Sequence, residues 1–191
     1  KKVARRHGLV CLLHEKPYAG VNGSGKHNNW SISTDTGINL LDPGSSPSEN
    51  AQFLLILAAV IKAVDDHQDL LRLSVASAGN DHRLGANEAP PAIISMFVGS
   101  DLGEILESIV NGKVYNQKAK ELMTIGVDVL PAFAKDTTDR NRTSSFAFTG
   151  NRFEFRSLGS AQSLAAPNTM LYTAVADAMC QIADTLEKAG E

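Results

Sequence analysis

Three stretches of this chain hold the residues whose types and spacing could do chemistry. The first, Lys16-Pro17-Tyr18-Ala19-Gly20-Val21-Asn22-Gly23-Ser24-Gly25-Lys26-His27-Asn28-Asn29-Trp30-Ser31, puts glycines, an amide, a cation and an imidazole in one short run. Gly20, Gly23 and Gly25 permit positive φ and close backbone approach, so main-chain N–H groups can line a concavity suited to phosphate or carboxylate oxygens. The second, Asn80 to Pro91, gathers Asp81, His82, Arg83 and Glu88 beside Gly85 and a double proline. That is the composition of a stiff polar loop, and loops of this kind often carry function. The third opens on Asp139-Arg140-Asn141-Arg142 and closes on Arg152-Phe153-Glu154-Phe155-Arg156. With a period of two, Phe153 and Phe155 face one side of a strand while Arg152, Glu154 and Arg156 face the other. By itself such a charged row reads as a cross-strand ion-pair ladder.

The glycine run admits more than one reading. From Gly20 to Lys26 it has the spacing of a P-loop, but His27 stands where Ser or Thr would hold a magnesium ion. A P-loop also opens a helix, whereas His27 to Thr34 reads as a strand, with Trp30 and Ile32 on one face and Asn29, Ser31 and Ser33 on the other. A plain turn between two strands would explain the glycines, yet not the polar residues spaced between them.

The elements that must position these stretches follow from periodicity and punctuation. Lys1 to His7 reads as the last turns of a helix, with Gly8 as its C′ residue. Leu9 to Leu13 is continuously apolar, as in a strand buried on both faces, and delivers His14, Glu15 and Lys16 to the glycine run. Residues 34–48 are rich in turn signals, including Asp42-Pro43-Gly44. Ser46-Pro47-Ser48-Glu49 is a capping box, predicting a helix from there to about Asp66, packed through Phe53, Ile56, Leu57, Val60, Ile61 and Val64. A second helical piece spans Gln68 to about Ser77, with His67 at the junction as a surface or capping residue. Ala92 to Gly99 reads as a strand, Asp101 to Val110 as a helix ended by Asn111-Gly112, and Tyr115 to about Met123 as helical. Ser163 to Lys188 reads as a helix interrupted near Pro167.

Composition narrows the function classes. The chain has 191 residues, 43% hydrophobic and 20% charged, with a net charge of −3, which suits a globular domain. Its Lys and Arg are scattered, so no phosphate-backbone footprint for nucleic acid is present. Cys11 and Cys180 each stand in an apolar context, as buried thiols of a reducing, cytoplasmic compartment would. Neither a signal peptide nor a membrane span is visible: the longest apolar run, Phe53 to Ile61, falls far short of the roughly 20 residues needed. No repeat or linker divides the chain, so residues 1–191 form one domain. It begins at Lys1 inside a helix-like segment, and the expectation is that it is incomplete.

The run from Lys16 to Ser31 resembles the nucleotide-site signature of the glutamine synthetases, in which Lys-Pro leads to an Asn-Gly-Ser-Gly-x-His core and a Ser four residues on. His14-Glu15-Lys16-Pro17 and His27-Asn28-Asn29-Trp30-Ser31 resemble the long type III branch of that family. The other two stretches follow in the family's order. The resemblance implies an α+β fold, part of a catalytic domain with a curved, largely antiparallel sheet flanked by helices. Residues 100–138 match an insertion of the type III branch, without visible chemistry. The implied activity is ATP-dependent ligation of ammonia to L-glutamate through a γ-glutamyl phosphate, giving L-glutamine.

The resemblance also implies roles. Lys16, Ser31, Arg83 and Arg140 would serve the nucleotide, with Arg83 on phosphate. Asn22, Gly23 and Arg156 would bind glutamate, and His27 and Glu154 would hold Mg²⁺ or Mn²⁺. Glu88 would attract ammonium and take its proton, and Arg142 would stabilise the transferring phosphoryl group. Family members work as homo-oligomers, here a double ring of twelve subunits, with sites between subunits and no part for membrane or nucleic acid. Two departures stand out: Ser145 replaces an expected proline, and Ala147 lies near the place of a second arginine, whose role Arg140 could take. The family's other metal carboxylates lie upstream of the glycine run, where Glu15 is the only acid before Lys16. Two ligands are too few for a tight site, so the chain alone is expected to be inactive. Competing readings are a γ-glutamyl ligase for a larger amine and a non-catalytic homologue that binds nucleotide or glutamate.

Overall fold

A computed structural model describes residues 1–87, 89–115, 122–123, 133–134 and 144–190. In chain order the elements are α1 (Lys2–Arg6), β1 (Gly25–Trp30), a 3₁₀ turn (Pro47–Glu49), α2 (Ala51–Asp66), α3 (Gln68–Leu73), α4 (Ala78–Arg83), β2 (Met96–Phe97), α5 (Ser100–Val110), β3 (Leu122–Met123), β4 (Phe133–Ala134), β5 (Phe146–Phe148), β6 (Phe153–Gly159) and α6 (Ala165–Gly190). The class is α+β. The main sheet runs β1-β6-β5-β2, antiparallel except for the β2/β5 pair. β3 and β4 form a separate antiparallel pair.

Aromatic side chains build the core face of this sheet. Phe146 stacks on Phe153 with centroids 4.6 Å apart, and Phe148 meets Phe153 edge-on at 5.2 Å. Helices α2 and α6 cover that face: α2 buries Phe53, Ile56, Leu57, Val60 and Val64, and α6 buries Leu171, Val175 and Ala178. Both sets recur at three and four residues, which puts them on one helix side. The opposite sheet face carries His27, Asn29, Glu154 and Arg156, the alternates of the buried residues on β1 and β6.

A β-bulge interrupts the β1/β6 ladder. Lys26 pairs with Leu158 but Asn28 pairs with Phe155, so Arg156 and Ser157 together oppose His27. The extra residue shifts the alternation, and Leu158 rather than Ser157 joins the apolar cluster. At the N-terminus the helix end follows expectation. Gly8, at φ +67°, donates to Arg5 O at 3.1 Å and Leu9 N to Ala4 O at 2.9 Å, the paired bonds of a Schellman motif.

Several expectations are corrected. Leu9 to Leu13 is not a buried strand: Leu9, Val10, Leu12 and Leu13 are exposed, and no strand among the described residues pairs with them. A strand buried on both faces needs neighbours on both sides, and among the described residues β1 is the edge of the sheet. Ser46 heads only the 3₁₀ turn and its side chain caps nothing, whereas Asn50 Oδ1 accepts from Phe53 N at 3.0 Å and starts α2. α3 stops at Leu73. Asn80 begins inside helix α4, capped by Ser77, rather than in a loop. Only Met96–Phe97 of the predicted strand 92–99 pairs. Leu122–Met123 is strand and not helix, while residues 116–121 of that expectation lie outside the described residues.

Pro167 does not interrupt α6. It falls in the first helical turn, where its missing N–H has no intrahelical partner to lose. Both cysteines are exposed rather than buried. Cys11 belongs to the exposed 9–13 segment, and Cys180 lies off the Leu171, Val175, Ala178 stripe of α6. Among the described residues no helix is long and apolar enough to cross a membrane.

Candidate functional site

The glycine run leads into the sheet edge and is held there by polar bonds. Ser24 N donates to Glu15 O at 2.7 Å, closing the segment between them. Lys16, 8% exposed, turns its Nζ to Val21 O at 2.7 Å, and Asn87 Nδ2 reaches the same carbonyl at 3.1 Å. The second polar stretch is thereby tied to the first. Asn87 adopts φ +54°, a left-handed conformation that Asn tolerates better than most residues.

Arg83 lies directly against this run. Its side chain is 4% exposed, and a Cβ on Gly23 or Gly25 would meet it at 2.5 or 2.7 Å. Gly23 and Gly25 are therefore required by the close approach of an arginine and not by backbone conformation: of the three glycines in the run only Gly20, at φ +76°, is left-handed. Asn80, fully buried on the same helix three residues earlier, accepts from Arg83 Nε at 3.1 Å, and Leu158 O accepts from Nη2 at 3.0 Å. Burial pushes the Arg83 guanidinium below its ordinary value and the Glu15 carboxylate opposes the shift. It remains a cation at neutral pH. Glu15 is itself buried between Gly79 and Gly159, where an added Cβ would meet its carboxylate at 2.8 or 2.7 Å, and it accepts from Ala161 N at 3.2 Å.

On the polar sheet face, His27 Nδ1 stands 3.5 Å from Glu154 Oε2, which also takes Arg156 Nη2 at 3.1 Å and Nε at 3.2 Å. The bulge makes this convergence possible, because one residue of β1 faces two of β6. His27 is exposed while Glu154 and Arg156 are mostly shielded. An imidazole and a carboxylate at this separation fit neighbouring positions around a divalent ion with bonds of about 2.1 Å, whose adjacent donors lie about 3 Å apart. They are part of a donor set and not the whole of one. Among the described residues no group of three or more His, Cys, Asp or Glu could hold a metal.

No profile of a known protein family matches the chain. Individual relatives do. It is 59% identical to a type-3 glutamine synthetase of Dictyostelium discoideum over 94% of this chain and 24% of that protein. A glutamine synthetase of Butyrivibrio fibrisolvens is 65% identical over 81% of this chain and 22% of its own length. One from Bacteroides fragilis is 53% identical over 98% of the chain and 26% of its own length. The chain belongs to the glutamine synthetase family, type III branch. It spans about a quarter of the length of these curated relatives.

Against the glutamine synthetase pattern, the structure brings together His27, Glu154 and Arg156 in one group and Gly23 and Arg83 in another, with Lys16 bonded to Val21 O of the same glycine run. Asn22 immediately precedes Gly23 and is exposed. Ser31 stands apart, beyond the far end of β1 from Gly25. Its hydroxyl is engaged by Asn39 Oδ1 at 2.6 Å and Asn151 O at 3.4 Å. Glu88, Arg140 and Arg142 lie outside the described residues.

Asn80 and Glu15, which orient the buried cation and its loop, were not singled out as site residues from sequence. The readable signals are Asn80 three positions before Arg83 on one helix face, and glycines at 79 and 159 that leave room for a carboxylate.

Proposed function

We propose that the intact protein carrying this chain is an ATP-dependent glutamate–ammonia ligase. The reading is supported above all by His27, Glu154 and Arg156 converging on one sheet face, with Glu154 Oε2 within 3.5 Å of both partners. A carboxylate shared by an imidazole and a guanidinium has a poor rationale as scaffold on a half-open face. It has a clear one where a charged substrate and a cation must be aligned.

In this account an oxygen of the glutamate γ-carboxylate attacks the terminal phosphorus of ATP, and ADP leaves with the electrons of the broken P–O bond. Ammonia then adds to the acyl carbon of γ-glutamyl phosphate, and phosphate departs with the C–O bonding pair. Arg156 binds the glutamate carboxylate, helped by the Asn22-Gly23 backbone and amide. Lys16, Ser31 and Arg140 serve the nucleotide. Arg83, pressed against Gly23 and Gly25, brings its positive charge to the underside of the glycine loop and favours anions above it. Arg142 stabilises the transferring phosphoryl group, and Glu88 attracts ammonium and takes its proton. His27 and Glu154 supply a nitrogen and an oxygen to Mg²⁺ or Mn²⁺, which when bound neutralises phosphate charge.

The two ligands need partners from elsewhere in the protein. The chain alone is accordingly inactive, and the working site forms in a homo-oligomeric ring with contributions from neighbouring subunits. Glu88→Gln in the intact protein should lower ammonia-dependent glutamine formation by about a hundredfold or more, with the KM for ATP nearly unchanged. Full turnover by that variant would remove Glu88 from the mechanism. Phosphate release that requires glutamate but ignores ammonium would point to a larger amine as acceptor.

A further inference from the structure

Ser145 is fully buried at the entrance to β5, and it stands where the family resemblance leads one to expect proline. Its hydroxyl accepts from Ser95 N at 2.7 Å and faces Ile93 O at 3.1 Å as donor. In return Ser145 N donates to Ser95 Oγ at 3.2 Å. Ser144, also buried, adds an Oγ donation to Ser95 O at 2.7 Å. Residues 93–95 and 144–145 are thus closed onto each other by hydroxyl bonds just before the short parallel pairing of Met96 with Phe146 and Phe97 with Ala147. A proline at 145 would supply neither the N–H nor the hydroxyl.

The other side of Ser145 faces the site. Its carbonyl accepts from Arg156 N at 2.8 Å, continuing the antiparallel register in which Phe146 meets Phe155 and Ala147 meets Glu154. Arg156 lies in the bulge of β6, where the ladder to β1 is irregular. Regular pairing from the β1 side cannot fix a bulged residue, so its backbone is held from the β5 side, at Ser145.

We propose that Ser145 is a positioning residue for Arg156. Anchored to Ser95 and Ile93 by its side chain, it sets where the Arg156 guanidinium meets Glu154 and, on the reading above that Arg156 binds glutamate, where the substrate carboxylate is held. The lock is built from Ser95, Ser144 and Ser145, and it links the chain leaving the second polar stretch to the strand that carries Glu154 and Arg156.

The test uses the intact enzyme with Ser145→Ala, Ser95→Ala and Ser145→Thr. Ser145→Ala should raise the KM for glutamate about fivefold or more and leave the KM for ATP unchanged, while Ser145→Thr, which keeps the hydroxyl, stays close to the parent. A merely structural role would reduce the active fraction and lower kcat without moving the glutamate KM, and that result would overturn the proposal. If Ser145→Ala does not accumulate as folded protein, Ser95→Ala decides by the same split. A second readout does not depend on activity: exchange of the Arg156 amide hydrogen should speed up in both alanine variants relative to amides of α2. Unchanged Arg156 exchange would overturn the positioning role even if the enzyme proved to have another substrate. An ATP turnover indifferent to glutamate in the parent would count against the ligase reading and leave the exchange result to judge Ser145.

Discussion

A Cβ placed on Gly23 would stand 2.5 Å from Cγ of Arg83 and 2.7 Å from the carbonyl oxygen of Glu15. The first obstacle is a side chain that could swing away, but the second is backbone held by Ser24 N. Gly23→Ala should therefore strain the loop and destabilise the fold by about 1–3 kcal/mol. Gly103 makes the opposite case. It lies inside α5 with nothing within 4 Å of an added Cβ, so Gly103→Ala should stabilise by about 0.5–1 kcal/mol. Thermal unfolding of the two variants should move in opposite directions. A neutral Gly23→Ala would mean that the loop is not held as described.

The His27–Glu154 pair makes a prediction about metal. Glu154→Gln keeps the shape of the side chain but removes the charge that faces Arg156 and His27 and that, on the proposed reading, would hold a divalent ion. The Mg²⁺ concentration giving half-maximal activity of the intact enzyme should rise about tenfold or more, and His27→Ala should act in the same direction. If the two groups share one ion, as proposed, the double variant should fall short of the sum of the single effects. Independent, fully additive losses would argue against a common metal.

The start of α2 separates two residues that look alike in sequence. Asn50 Oδ1 takes the N–H of Phe53, whereas the Ser46 side chain makes no cap bond. Asn50→Ala should cost about 1 kcal/mol of stability and Ser46→Ala almost nothing, read as midpoints of chemical denaturation. Equal losses would show that the 3₁₀ turn and the helix are capped as one unit.

Much of the fold was legible because its elements declare themselves locally. The spacing of Phe53, Ile56, Leu57, Val60 and Val64 identifies α2, and the alternation of Phe153 and Phe155 with Glu154 and Arg156 identifies both faces of β6. The glycine run was legible as a ligand loop, but not the reason for two of its glycines, which is a side chain arriving from sixty residues away in sequence. The bulge at Arg156 and Ser157 was hidden for a similar reason: it belongs to a pairing and not to either strand alone. Leu9 to Leu13 misled because continuous hydrophobicity specifies burial but not by what, and no described strand lies beside it. Cys180 misled because apolar sequence neighbours on a helix point in several directions, and only one stripe of α6 faces the core. The Ser95–Ser145 lock left only one trace in the sequence, a serine in place of an expected proline.

In the proposed ligase reaction glutamate is activated by phosphorylation of its side-chain carboxylate. The most direct measurement supplies the intact enzyme with ATP, ammonium and glutamate labelled with ¹⁸O in its γ-carboxylate, then determines the mass of the phosphate released. Each phosphate should carry one labelled oxygen and one glutamine should form with it, because the carboxylate oxygen that attacks phosphorus leaves with it when ammonia displaces phosphate. Unlabelled phosphate would rule out a γ-glutamyl phosphate, since ATP would then have been cleaved by water and not by glutamate.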